Sequence, residues 1–122
     1  MNIMIVDDEP QVAEVLAKSL TRQGHRTTVV HSGAEALRLI DTTTPDALFL
    51  DVSMPGINGL EVLAEVRRTR PQLAVVVITG HDTPESRLRT RSLGAKFYLC
   101  KPVDDESLLA AISAAIDGEL RK

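Results

Sequence analysis

Ile3-Met4-Ile5-Val6-Asp7-Asp8 sets the reading of the whole chain: four apolar residues run straight into two acids. A continuous apolar run of this length suits a strand covered on both faces, as in parallel sheets. The pattern recurs. Ala47-Leu48-Phe49-Leu50 runs into Asp51, and Leu73-Ala74-Val75-Val76-Val77-Ile78 into Thr79-Gly80. Phe97-Tyr98-Leu99-Cys100 runs into Lys101-Pro102. A weaker run, Thr27-Thr28-Val29-Val30, has polar residues on its flank and suits an edge strand.

Segments at helical spacing lie between these runs. Val12, Val15, Leu16 and Leu20 read as one helical face, as do Leu60, Leu63 and Val66, and Leu108, Ile112, Ala115 and Ile116. Ser32-Gly33-Ala34-Glu35 reads as a capping box, and Thr83-Pro84 as a cap followed by proline at the first helical position. Gly24 and Gly94 stand where helices should stop. The pattern predicts five βα units, hence an α/β fold with a parallel sheet and helices on both faces. Residues 84–93 are the exception, with only Leu88 and Leu93 apolar. That helix buries little and is predicted to be the least stable element.

The composition narrows the class. A chain of 122 residues suits one compact domain, and 43% hydrophobic with 25% charged residues is ordinary for a globular protein. Aromatics are 2% and Trp is absent, which leaves no stacking platform for single-stranded bases. Fourteen Lys and Arg against 17 Asp and Glu give a net charge of −3, so no global basic field exists to hold a phosphate backbone. No apolar run approaches the ~18 residues of a membrane span. The lone Cys100 cannot form an internal disulfide, which fits a reducing, cytoplasmic location. It reads as a small core residue rather than a nucleophile.

In an open parallel sheet, ligands bind outside the carboxyl ends of the strands. There the sequence delivers Asp7, Asp8 and Asp51, the Thr79 hydroxyl and the Lys101 ammonium. Each has a plainer role by itself: an Asp can cap a helix or shape a turn, Thr79 can finish a strand, and Lys101 can be a solvated charge. Together they have a chemical logic. Three close carboxylates repel one another, and a hard divalent cation with oxygen ligands, Mg²⁺, would relieve the repulsion. A metal-bound Asp is also a nucleophile toward phosphorus, giving an acyl phosphate whose oxygens need Lys101, Thr79 and loop amides as donors. His25 and His31 read as surface residues beside the edge strand, and His81 as a loop histidine near Thr79.

Four marks occur in order: Ile5-Val6-Asp7-Asp8-Glu9, Asp51-Val52-Ser53-Met54-Pro55-Gly56-Ile57-Asn58-Gly59, Thr79-Gly80 and Lys101-Pro102. With them the chain resembles the receiver domain of two-component response regulators over residues 1–122, as a single domain. The resemblance implies a flavodoxin-like, doubly wound, five-stranded parallel sheet in order 2-1-3-4-5 with five helices. It further implies that Asp51 accepts a phosphoryl group from the phosphohistidine of a sensor histidine kinase or phosphotransfer partner. Asp8, Asp51 and the Ser53 backbone carbonyl would bind Mg²⁺, with Asp7 acting largely through metal-bound water. Lys101 would pair with Asp51 or its phosphate, and Lys101–Pro102 is a candidate cis peptide. Thr79 and Tyr98 match the family's switch pair, Tyr98 turning inward when the phosphate draws Thr79 toward it. Gly80 suits a position beside the phosphate. Ser53 and His81 occupy the two positions that tune phosphate lifetime.

The arginine-rich helix departs from the family pattern. Arg87, Arg89 and Arg91 would form a basic patch beside Tyr98, on the face made by the fourth helix, fifth strand and fifth helix. That face would take a second copy of the domain or an acidic partner; the plainer reading is a solvated helix. On this reading the domain is a phosphorylation-controlled signalling switch rather than an enzyme. An Asp-nucleophile phosphatase of the haloacid-dehalogenase type wants a second Asp where Ser53 stands. A flavin protein wants a phosphate-cradling loop where Asp7-Asp8-Glu9 stand, the wrong sign for that job. A pseudo-receiver, working only through protein contacts, usually lacks part of the acidic set or the lysine. Only six residues follow Ile116, so this segment brings no nucleic-acid-binding module of its own, and any output domain is unknown.

Overall fold

A computed structural model describes residues 1–53 and 59–116; the motif residues Met54 to Asn58, the side chain of Ile116 and residues 117–122 lie outside it. Strands and helices alternate without interruption: β1 (Asn2–Val6), α1 (Pro10–Arg22), β2 (Arg26–Val30), α2 (Gly33–Thr43) and β3 (Ala47–Asp51). Then come α3 (Gly59–Thr69), β4 (Ala74–Thr79), α4 (Pro84–Ser92), β5 (Phe97–Cys100) and α5 (Asp105–Ile116). The strands form one parallel sheet in the order β2-β1-β3-β4-β5.

Alternation along the strands divides the core into two layers. Ile3 and Ile5 of β1, Phe49 of β3, and Val76 and Ile78 of β4 pack with Leu16 and Leu20 of α1 and Leu108 and Ile112 of α5. Met4, Val6, Leu48, Leu50, Val75 and Val77 point the other way, onto Ile40 of α2 and Val62, Leu63 and Val66 of α3. Because β1, β3 and β4 are covered on both faces, their sequences carry unbroken apolar runs rather than alternation.

The helix boundaries follow local chemistry. Ser32 caps α2 by accepting the Glu35 N–H at 3.1 Å. The Glu35 carboxylate reaches back to the N–H of His31 at 3.1 Å, one residue before the cap, so the capping box is displaced by one position. Thr83 caps α4 by accepting the Ser86 N–H at 3.0 Å, with Pro84 opening the helix. Gly24 and Gly94 follow α1 and α4 at φ +91° and +85°, the left-handed region where glycine is unstrained.

Two readings need correction. Val15 is 65% exposed: it sits beside the buried stripe of Ala13, Leu16 and Leu20, because 3.6-residue spacing fixes the face of a helix but not its width. Cys100 is exposed, not in the core. The reason lies in β5, whose four apolar residues suggested cover on both faces although the strand stands at the sheet edge and buries only Leu99 fully. α4, by contrast, is as sparsely anchored as its sequence predicts: Thr90 is its one buried residue and Leu88 is 64% exposed.

Candidate functional site

The order β2-β1-β3 makes the strand order, not the strand direction, reverse between β1 and β3, and in such sheets a crevice opens there beyond the strand ends. Asp7 leaves β1 on one side and Asp51 ends β3 on the other; each is only 1% exposed. Carboxylate oxygens of Asp7, Asp8, Glu9 and Asp51 all lie within 4.8 Å of one another. The three predicted acids therefore meet, and Glu9 joins them. As the N-cap residue of α1, Glu9 makes no side-chain capping bond, so its carboxylate is left for the crevice.

Lys101 closes the cluster from the far side of the sheet. Its backbone N–H donates to the Thr79 carbonyl at 2.8 Å, which ties the end of β5 to the end of β4. The peptide that follows, Lys101–Pro102, is cis. The ammonium lies 2.6 Å from Glu9 Oε1, 2.9 Å from Asp51 Oδ2 and 3.2 Å from Asp7 Oδ2. Burial works against the charged lysine, yet the hydrogen bonds to Glu9 and Asp51 outweigh it and hold the amine well above the ordinary lysine range.

The two buried acids are handled differently. Asp51 Oδ1 accepts two hydrogen bonds from Ser53, from the amide at 2.8 Å and the hydroxyl at 2.6 Å. Burial pushes the Asp51 carboxyl upward, but Ser53 and Lys101 overcome it and bring it below the usual range. Asp7 has less help. Oδ1 accepts the Glu9 N–H at 2.9 Å. Oδ2 is buried and accepts no well-aligned hydrogen bond from the described residues, although Lys101 stands 3.2 Å away. Burial first, and the Asp51 charge after it, raise the Asp7 carboxyl above the ordinary value. A buried anionic oxygen short of donors, beside three more carboxylates, fits a hard divalent cation ligated by oxygen.

The remaining predicted residues ring this centre. Ser53 Oγ, while donating to Asp51, lies 3.4 Å from the Gly80 N–H, and so links the ends of β3 and β4. Gly80 has no closer neighbour to its missing side chain than 3.9 Å, from Lys101 and Ser53, so the approach over Asp51 is roomy there. Thr79 is buried, and its Oγ1 accepts the His81 N–H at 2.9 Å; the His81 side chain itself is exposed. Tyr98 is half-buried, in register with Val77 on the sheet face that also carries Thr79. The three-arginine patch is not wholly free, because Arg87 Nε pairs with Asp82 Oδ1 at 3.0 Å. His31, exposed as expected, places Nδ1 3.0 Å from the Asp7 carbonyl, and His25 is half-buried against the N-terminal amine at 3.0 Å.

One expectation is not met: Asp51 is only 1% exposed. An acceptor carboxylate should reach solvent, yet Asp51 is covered, with one oxygen taken by Ser53 and the other by Lys101. The Ser53 hydroxyl and the Lys101 ammonium are side-chain covers, whereas the Ser53 amide that shares Oδ1 belongs to the backbone.

Sheet order and polar crevice define a flavodoxin-like α/β domain whose acids and lysine converge at the switch point. Residues 3–113 match the response regulator receiver domain family, and the chain belongs to it. It is 41% identical over 116 residues to the response regulator MprA of Mycobacterium avium strain 104, covering 95% of this chain and 51% of that protein. It is 40% identical to MprA of Mycobacterium tuberculosis strain H37Rv, with 95% and 50% covered. The chain thus spans about half the length of the curated relatives it matches. Among solved structures, the CheY-like receiver domain protein of Methanospirillum hungatei JF-1 superposes with a TM-score of 0.91 at 25% identity, over 98% of this chain and 96% of that one. A putative response regulator from Chloroflexus aurantiacus J-10-fl gives 0.88 at 32% identity, over 94% and 96%. The chain is a signalling domain of two-component systems. No helix among the described residues is long and apolar enough to cross a membrane.

Proposed function

We propose that the domain is a phosphorylation-controlled switch in which Asp51 takes a phosphoryl group from the phosphohistidine of a sensor histidine kinase or histidine phosphotransfer protein. The convergence of Asp7, Asp8 and Asp51 with Lys101 carries this reading. An oxygen of Asp51 attacks phosphorus, the P–N bond breaks, and the imidazole leaves with the bonding electrons. Asp8, Asp51 and the Ser53 carbonyl would hold Mg²⁺, with Asp7 acting largely through water. The ion supplies charge neutralisation to the acids and to the phosphoryl oxygens.

Lys101 already donates to Asp51 and transfers that contact to a phosphoryl oxygen, which uncovers the carboxylate as the group arrives. Ser53 releases the other oxygen and, with His81 across the crevice, tunes access of hydrolytic water. Thr79 accepts from the His81 amide, so its own proton remains available to the phosphate. Its displacement gives Tyr98 room to turn inward. The Arg87, Arg91 and Tyr98 side of α4, β5 and α5 then carries the output, to a second copy, a downstream protein or an output domain. The domain works in the cytoplasm, contacts no nucleic acid through this segment, and assists its own phosphorylation and dephosphorylation without being an enzyme toward other substrates.

The 1% exposure of Asp51 favours one alternative, a phosphorylation-independent interaction module. A single experiment separates the two. Incubation with acetyl phosphate and Mg²⁺, read by intact mass, should add one phosphoryl group that needs the metal and vanishes in Asp51→Ala. Absence of labelling in the native chain would favour the interaction module, and labelling that persists in the variant would mean a different acceptor.

A further inference from the structure

Outside the acidic crevice, one exposed carboxylate joins three elements at a single atom. Tyr98 OH donates to Asp82 Oδ1 at 3.1 Å, and Arg87 Nε reaches the same oxygen at 3.0 Å. Ser86 Oγ lies 3.3 Å from the phenol oxygen. Asp82 stands in the loop between Thr79 and the α4 cap Thr83, whereas Arg87 is in α4 and Tyr98 in β5. Tyr98 packs against the core layer that α3 covers, with its hydroxyl directed out to Asp82.

From this geometry we infer that Asp82 is a positioning residue for the switch: its carboxylate latches Tyr98 in the outer position and must let go before the ring turns inward. The inference rests on the reading of Thr79 and Tyr98 as the switch pair. An inward phenol loses a charge-assisted hydrogen bond, so the outer position is favoured by the full strength of that bond. α4 contributes little of its own, since Thr90 is its one buried residue, so a contact joining its first turns to β5 has outsized weight there. Arg87 acts at one remove. By pairing with Asp82 it keeps the carboxylate over the phenol, and the guanidinium is correspondingly not free for a partner while the latch is closed.

The sequence supplies its own reporter. Tyr98 is the only tyrosine and there is no tryptophan, so tyrosine fluorescence reports this one ring. The test compares acrylamide quenching of Tyr98 in the unphosphorylated full chain and in Asp82→Ala, together with the rate of Asp51 labelling by acetyl phosphate. Losing a hydrogen bond to a charged acceptor changes a two-state ratio by about tenfold. Asp82→Ala should therefore lower quenching and raise the labelling rate by up to about tenfold, and Asp82→Asn, which keeps an acceptor without the charge, should fall between. In a Tyr98→Phe background, Asp82→Ala should add nothing to the rate. Quenching that is unchanged or increased in both Asp82 variants would overturn the latch, as would a rate effect that persists without the phenol. A native chain that fails to label at Asp51 would instead sink the phosphotransfer reading, and the quenching comparison would still decide the latch.

Discussion

Lys101 Nζ donates to Asp51 Oδ2 at 2.9 Å across fifty residues of chain, and the same ammonium is 3.2 Å from Asp7 Oδ2. Two buried carboxylates thus share one cation, which lets both stay ionised at a sheet end where water is scarce.

Lys101→Ala tests that relationship from the stability side. Removing the shared cation leaves Asp7 and Asp51 buried and repelling each other, which should destabilise the metal-free domain by about 3 kcal/mol. Mg²⁺ should recover most of the loss, because the variant keeps every carboxylate. Chemical denaturation with and without the metal measures both effects. The variant should still bind Mg²⁺ and yet fail to convert phosphorylation into a change in partner affinity. Coupling that survives would remove the lysine from the relay.

Asp7→Asn should act in the opposite sense. Asp7 Oδ2 is the buried oxygen short of donors, and burial with the Asp51 charge raises its carboxyl. A neutral amide removes the repulsion and should raise stability without metal by about 1–2 kcal/mol. The same change should weaken Mg²⁺ binding by about 10–100-fold, read by titration calorimetry. The raised Asp7 value also fixes the sign of the pH dependence in the native chain. A carboxyl above its ordinary range takes up its proton at higher pH than a free aspartate, and the cation competes with that proton. Mg²⁺ affinity should accordingly fall as the pH is lowered through the raised value, before ordinary carboxyls begin to titrate. Affinity that stays flat until the ordinary aspartate range would contradict the assigned environment.

Much of this site is legible in the sequence because strand ends are legible. An apolar run in a parallel sheet ends abruptly, and the residue after it lands at the carboxyl edge whatever its side chain does; hence Asp7, Asp51, Thr79 and Lys101 are all found. Glu9 and Asp82 are not, because each acts through a rotamer in a loop or at a helix start, and spacing carries no information about rotamers. Glu9 still left a trace: an acid at an N-cap position beside two others has more carboxylates than one cap needs. Val15 and Cys100 mislead for a related reason. A periodic pattern names the residues of a face, but neighbouring elements decide how far cover extends, and nothing in Phe97-Tyr98-Leu99-Cys100 marks β5 as an edge.

Gly59 opens α3 close to the end of β3, and a Cβ there would stand 2.4 Å from the Val52 Cα and 2.8 Å from the Asp51 carbonyl oxygen. Both obstacles are backbone, so the clash is relieved only by moving the segment that carries Asp51. Gly59→Ala should cost about 3 kcal/mol and slow acetyl-phosphate labelling, although it removes no charged group. Thermal melts and labelling rates together check it. A variant with native stability and rate would show that the segment after Asp51 yields freely.

Hydrogen exchange should rank α4 lowest among the helices. Its nine residues bury only Thr90, whereas α1 buries Ala13, Leu16, Ser19 and Leu20, and α3 buries Gly59, Val62, Leu63 and Val66. Protection measures the free energy of local opening, and a helix with few buried side chains opens without disturbing the sheet. The Thr83 cap and the Asp82 contacts with Arg87 and Tyr98 are its principal restraints. Amides in residues 87–92 should therefore exchange faster than those of the other helices, and faster again in Asp82→Ala. Leu88→Ala, at a position 64% exposed, should leave both the exchange pattern and global stability within about 0.5 kcal/mol of native. If α4 amides prove as protected as those of α3, anchoring must come from contacts other than buried apolar surface, and the Asp82 network would be the first place to look.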